Sequence, residues 1–417
     1  MFCTSCKSDP KHENTEKAVE IGRVNFYLDN SVSNAGYYGS NGFNGVIDEL
    51  ISNCKGYNRS LYTISDSLGI KFMYNDSNID QLEYSSFRNN INQESSTIYS
   101  MLSRIMDNTD DSTVSVFISD GILSYPSSVI RASGNNNKNI DDINSGILKS
   151  KTISAISNSF KHTTKTASAF SIYYFTSDFN GNFYYNANNE NQNFRGKTLH
   201  NRPFYIWVLT KNLDLFTAFN QKLLSLDKFK NNTNKINFGI TKEEAQDITF
   251  ISKKGICTLT PRNSIENVNL NDSKNKKIEI LFCTNLNGIE TTNLTELASE
   301  LDISPKHNEF TVQFIEKDSV LSSNDFNTIS DLSKKKKVLE STHFIKLTIN
   351  RLYVNDTLQI IKKYQYPNWY YNKWTHDDRK FIEDGKTFGI DQIIDAFKLT
   401  MQDSTKNIVN IKIPISN

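Results

Sequence analysis

The sequence carries almost no net charge. Across 417 residues, 47 lysines and arginines face 46 aspartates and glutamates, a formal +1. Nucleic-acid binding draws on phosphate neutralisation by excess basic residues, so this balance gives no reason to expect such a partner. The tetralysine Lys334 to Lys337 is an isolated run and reads as a solvated loop. Long apolar runs are missing as well: nothing approaches the roughly 20 residues of a bilayer-crossing helix. Cysteine is scarce, and five is an odd number that does not describe a disulfide framework. The six histidines are scattered with no His-Glu-x-x-His spacing, and no Gly-x-Ser-x-Gly elbow occurs. The Gly-rich stretch Gly36 to Gly42 lacks the Lys-Ser/Thr pair of a phosphate-binding loop.

What the chain does have is aromatic material, 26 phenylalanines and 19 tyrosines, enough to build much of a core in two or three domains. Val24 to Leu28 is a short run rich in β-branched and aromatic residues and reads as a buried strand. It leads directly into Asp29, Ser31 and Ser33, three hard oxygen donors at alternate positions. If the chain bends at the strand end, the three converge. One carboxylate and two hydroxyls suit a hard divalent cation such as Mg²⁺. A second strand pattern, 112 to 121, ends in Asp120 before Gly121. Between the two, Glu94 to Leu102 puts hydroxyls at the mouth of an amphipathic helix whose Ile98, Leu102 and Ile105 recur at helical spacing. In an open parallel sheet, ligands gather beyond the carboxyl ends of the strands, so Asp29, Asp120 and Ser96 or Thr97 are expected in one crevice. The competing reading has these residues capping helices and turns.

In order and rough spacing, the three segments resemble the von Willebrand factor A-type domain with its metal-ion-dependent adhesion site. The family's Asp-x-Ser-x-Ser matches Asp29, Ser31 and Ser33, and its acid after a strand matches Asp120 in Ser119-Asp120-Gly121. The family's Thr at a Gly-rich helix start falls on Ser96, with Thr97 as the alternative because the glycines are absent. The resemblance covers residues 20–228 and implies a doubly wound, mostly parallel α/β sheet. It also implies a cation (Mg²⁺, or Mn²⁺ or Ca²⁺) held by Asp29, Ser31, Ser33, Ser96 or Thr97, and Asp120, some through water. An acidic residue of a protein partner would complete the shell. Two alternatives stand beside this: a metal-dependent phosphoester hydrolase, and an inert A-type scaffold with binding through the C-terminal half. Tyr37 and Tyr38, in the Gly-rich loop, are placed near any ligand, against the alternative of local packing.

Beyond about residue 228 strand-like runs dominate, among them Phe310 to Ile315 and Phe344 to Leu352. Residues 229–417 therefore read as a mainly β domain of immunoglobulin-like sandwich type with a C-terminal helix, Phe388 to Met401, and a last strand, Ile408 to Ile415. The cluster Trp369, Tyr370, Tyr371 and Trp374 offers an aromatic platform for a partner, against ordinary packing between a sheet and its cover. His376-Asp377-Asp378 reads as a solvated turn. Residues 1–19 read as a tether: Phe2 to Asp9 resembles the tail of a bacterial lipoprotein signal with Cys6 lipidated, although the apolar stretch of such signals does not precede it. That reading implies a cell-envelope protein touching the membrane through its lipid alone. The alternatives are half of a zinc site, Cys3-x-x-Cys6, which needs a second ligand pair, and a cytoplasmic protein.

Overall fold

The structure is a computed structural model that describes residues 20–65, 69–89, 98–122, 150, 153–154, 157, 169–186, 189–190, 196–230, 232, 234–240, 245–286, 294–375, 385–387, 389–401 and 406–417. Cys6 and the expected tether, Ser96, Thr97 and 376–378 lie outside the described residues.

The first half is built on one large sheet. Its strands are β1 (Arg23–Asp29), β2 (Asn58–Ser65), β3 (Gly69–Asn75), β4 (Thr113–Ser119), β5 (Ala169–Asn180), β8 (Thr198–Thr210) and β9 (Lys235–Phe238), in the spatial order β3-β2-β1-β4-β8-β5-β9. A two-stranded ribbon, β6 (Tyr184–Asn186) with β7 (Asn189–Glu190), lies within the connection from β5 to β8. β1 pairs in parallel with both β2 and β4. The β2–β3, β4–β8, β5–β8 and β5–β9 pairings are antiparallel. The sheet is therefore mixed, and the expected mostly parallel sheet is corrected: parallel pairing is confined to its centre. The reason lies at Asn180-Gly181, where β5 ends and the chain returns to pair β8 with β5 out to Asn180↔Thr198. A direct return makes an antiparallel pair, whereas a parallel one needs a long crossover.

β4 is buried along its whole length and β1 from Val24 onward, because helices cover both faces. On one face, the Asn41–Asn53 helix sets Phe43, Val46, Ile47, Leu50 and Ile51 against Val24, Phe26, Leu28, Val116 and Ile118. The Leu213–Leu223 helix shares that face, its N-terminus capped by Asn212, which accepts from the amides of Asp214 and Leu215. On the opposite face, the Ile98–Asp107 helix contributes Ile98, Met101, Leu102 and Ile105. Each fully buried Leu or Ile contributes about 2 kcal/mol.

The second cover of that face comes from far down the chain. The Ile390–Met401 helix inserts Ile390, Ile393, Ile394 and Phe397, and the Phe397 ring meets Phe170 at 4.6 Å and Trp207 at 5.9 Å. The C-terminal helix assigned by sequence to residues 229–417 thus packs on the first sheet. Chain order alone does not separate the two halves.

The remaining strands, the last of which follows that helix in the chain, form two further sheets. β10 (Ile248–Lys254), β13 (Ile278–Thr284), β15 (Glu309–Ile315) and β16 (His343–Arg351) form one antiparallel sheet in the order β10-β13-β16-β15. β11 (Ile256–Leu259), β12 (Ile265–Asn269), β14 (Asp302–Ser304), β17 (Asp356–Lys363) and β18 (Asn407–Ile415) form the other, antiparallel except where Ile265 meets Ile415 in parallel. Alternate residues, such as Ile280, Phe282, Ile345, Leu347, Ile360 and Ile411, fill one core shared by both sheets. Cys283 and Phe344 point the other way, into a small cluster with Val320, Phe326 and Val338. Lys334 to Lys337 lie on the Leu332–Glu340 helix, not in a loop.

Candidate metal centre

β1 and β4 are parallel neighbours, with Leu28 opposite Ile118. Their carboxyl ends therefore bring Asp29, the last residue of β1, beside Ser119 and Asp120. All three are essentially excluded from solvent. Beyond Asp29 the chain turns at once: Asp29 Oδ1 accepts the Ser31 amide at 2.9 Å, and a 3₁₀ turn follows over Val32–Tyr37. This bend gathers the alternating donors, and Ser31 Oγ lies 3.0 Å from Ser33 Oγ. Asp29 Oδ2 accepts the Ser119 hydroxyl at 2.7 Å, so both of its oxygens are held.

Asp120 is less well served. Oδ1 accepts the Ile122 amide at 3.0 Å. The Ser33 hydroxyl also favours its ionised form. Yet Oδ2 is buried without a well-formed hydrogen bond among the described residues. Burial raises the Asp120 carboxyl above its ordinary range, although Arg202 opposes this. Burial, and then the neighbouring Asp120, push Asp29 up to about 7. Two carboxylates packed together in a dry pocket repel each other and lack water to disperse their charge.

A divalent cation would answer both defects. It would give Asp120 Oδ2 a partner and offset the like charges, and the donor set of carboxylates and hydroxyls is the all-oxygen type that Mg²⁺, Mn²⁺ and Ca²⁺ prefer. Among the described residues, no three His, Cys, Asp or Glu side chains gather in this way. The set here has two acids, so its remaining donors are the hydroxyls of Ser31 and Ser33.

Two supports of this loop have roles that the sequence did not assign. Asn34, fully buried, donates from Nδ2 to the Asp29 carbonyl at 2.9 Å, and the Tyr38 hydroxyl donates to the same oxygen at 3.1 Å. In a chain so rich in asparagine, one more Asn after Ser33 does not stand out. Gly121 is held at φ +70°, and a Cβ there would meet the Tyr205 ring at 2.5 Å, so only glycine lets the chain leave Asp120 on this path. Arg202, 2% exposed, immediately precedes the apolar run of β8 that begins at Pro203.

The aromatic residues expected to meet a partner are corrected. Tyr37 and Tyr38 are each 3% exposed, and the Tyr37 hydroxyl donates to the Pro203 carbonyl at 2.5 Å. Both rings pack on Phe43, which makes them core under the loop. Trp374 is 1% exposed, stacked on Tyr174 at 5.4 Å and edged by Trp369 at 5.1 Å. Trp369 is partly buried against the same core, so the pair anchors the C-terminal segment rather than presenting a platform. Tyr371 keeps 41% exposure while donating to Asp395.

Compared with protein-family models, curated proteins and solved structures, the chain matches none.

Proposed function

We propose that this protein binds a divalent cation at the carboxyl ends of β1 and β4 and uses it to hold an acidic side chain of a protein partner. One observation carries the reading: Asp29 and Asp120 are buried side by side, with Asp120 Oδ2 lacking a well-formed hydrogen bond among the described residues, next to the paired hydroxyls of Ser31 and Ser33. The resemblance to the von Willebrand factor A-type domain supports it, and the finer fold assignments belong to the same reading: an A-type first half and an immunoglobulin-like sandwich after it. Mg²⁺ or Mn²⁺ would be held by Asp29, Ser31, Ser33 and Asp120, with Ser96 or Thr97 as the further hydroxyl. When bound, the cation supplies an attraction for a carboxylate oxygen. The chain's own residues do the rest. Ser119 and the Ser31 amide orient Asp29, and Asn34 with Tyr38 keep the loop closed beneath it. Affinity for the partner then depends on the cation.

The test is calorimetric titration of Mg²⁺ and Mn²⁺ into chelator-treated protein, beside Asp29→Ala. Saturable binding in the wild type that disappears in the variant is the expected result. Equal heats from both proteins would sink the reading.

A further inference from the structure

The tetralysine run Lys334 to Lys337 lies on a helix that the fold holds firmly. The Leu332–Glu340 helix has nine residues, a length that is marginal in water unless something fixes it. Both of its ends are tied. Asp331 accepts the Ser333 and Lys334 amides at the N-terminus. At the C-terminus the Lys317 ammonium donates to the Leu339 and Ser341 carbonyls, at 2.7 and 2.9 Å. Val338 is the side chain it buries, joining Ile251, Cys283, Phe326 and Phe344. Lys335 lies over the Phe326 ring at 5.0 Å. Residues four and seven apart share a helix face, so Leu332, Lys336 and Leu339 form a stripe away from Val338. On that stripe Leu332 is 82% exposed and Leu339 47%.

The helix and its cap hold four lysines against Asp331 and Glu340. Lys334 and Lys337, one turn apart, repel each other. Asp331 is committed to the amides, and Glu340 reaches Lys336 at 3.8 Å in an exposed pair that contributes little. Among the described residues the Lys334 and Lys337 ammonium groups form no hydrogen bond or ion pair. We propose that this helix is a docking surface for an anionic lipid bilayer, with Leu332 and Leu339 entering the acyl boundary and the lysines reaching back to the headgroups. Lysine carries its charge on a long apolar stem, so it can flank an inserted leucine while its ammonium stays at the phosphates. A protein partner fits less well: protein interfaces are depleted in lysine and anchored by arginine or aromatic side chains, and this helix has neither. It also offers no ring on which a nucleic-acid base could stack. No residue of the metal centre takes part, so this surface and the cation-binding reading stand independently.

The test is flotation of the full-length protein with phosphatidylcholine vesicles and with equimolar phosphatidylcholine–phosphatidylserine vesicles. Wild type should bind the second kind at low salt, leave them at high salt and ignore the first. A lysine near an anionic surface strengthens binding about fivefold, so Lys336→Gln with Lys337→Gln should weaken it about 25-fold. Leu332→Gln with Leu339→Gln keeps every charge and should weaken it at least about tenfold, because apolar burial in the bilayer is lost. All four positions are exposed and glutamine is a good helix former, so the variants should fold, which thermal melting checks. Lys228→Gln with Lys230→Gln removes the same charge from another exposed helix and should bind as wild type does. Three results overturn the proposal. One is wild type that does not float with the phosphatidylserine vesicles. Another is equal loss in the Lys228–Lys230 and Lys336–Lys337 variants, which marks a diffuse attraction. The third is full binding by the leucine variant, which marks a site for a soluble polyanion.

Discussion

Ser119 donates its hydroxyl to Asp29 Oδ2 at 2.7 Å, joining the ends of two parallel strands through the acid that opens the candidate metal centre. The Gly121 amide in turn donates to Ser119 Oγ at 3.1 Å. One hydroxyl thus ties the exit of β4 to the exit of β1. The bond stabilises the charged form of Asp29, but burial and Asp120 outweigh it and keep the carboxyl high. The two buried carboxylates therefore oppose each other.

That opposition has a measurable sign. Asp29→Asn keeps the shape and removes one charge. At pH 8 the wild-type Asp29, raised to about 7 from an ordinary 3.8, is largely ionised at a cost to the fold. In chelator the variant should be more stable than wild type by about 2–4 kcal/mol, while losing any stabilisation by Mg²⁺. Thermal melting with and without Mg²⁺ checks both halves. A variant less stable than wild type in chelator would mean that the two carboxylates do not oppose each other.

Gly121→Ala should harm fold and site together. The backbone there sits in the left-handed region at φ +70°, and the new methyl would press on the Tyr205 ring at 2.5 Å. Left-handed strain and overpacking each cost about 1 kcal/mol or more. Denaturant titration should show a loss of at least about 2 kcal/mol, with weaker cation binding as the Asp120–Ile122 turn shifts. Unchanged stability would show that the ring yields freely.

Trp374→Ala tests the return of the chain onto the first sheet. The indole is stacked on Tyr174 and meets Tyr205 at 5.6 Å. Truncating a buried tryptophan costs about 3–5 kcal/mol. Residues 370–375 and 389–401 should also become exposed to protease, a change read by mass spectrometry of early fragments. A loss below about 1 kcal/mol would mean that this segment covers the sheet without stabilising it.

His343 predicts acid sensitivity in the sandwich. Its ring is 2% exposed, with Nδ1 at 2.8 Å from Thr342 Oγ1 and Nε2 buried without a partner among the described residues. Burial lowers its pKa from 6.5 to about 4. The folded state resists protonation that the unfolded chain accepts. Stability is therefore intact above pH 6.5 and is lost as pH falls toward 4, by about 3 kcal/mol at most. His343→Phe should flatten that part of the pH–stability curve, followed by urea titration at several pH values. The same slope in both proteins would assign the acid sensitivity elsewhere.

Much of the site was legible locally. Asp29, Ser31, Ser33 and Asp120 stand out because an apolar run ending in an oxygen donor marks a strand exit, and two such exits are expected at one edge. β1 and β4 follow from continuous apolar runs, and the Asn41–Asn53 and Ile98–Asp107 helices from apolar residues recurring at i, i+3, i+4 and i+7. Asn34 and the burial of Arg202 were not legible, and Tyr38 was misread as a residue facing a ligand. Their roles come from neighbours across the sheet or from a carbonyl four or more residues back, and neither leaves a periodic trace. Tyr37 and Trp374 were misread for a related reason: aromatic residues suit a surface and a core equally well until the covering element is known.

The sequence by itself determined the local facts: which segments are extended, which are helical, where the hard oxygen donors cluster, and that two differently patterned regions follow one another. Only the tertiary structure decided that β8 runs antiparallel beside β4, and that the Ile390–Met401 helix covers the first sheet although it lies in the chain between β17 and β18 of another. Strand direction depends on how the chain returns, and a helix docks where an uncovered apolar face waits for it. Both are properties of distant segments meeting, which the spacing of residues along one segment does not record.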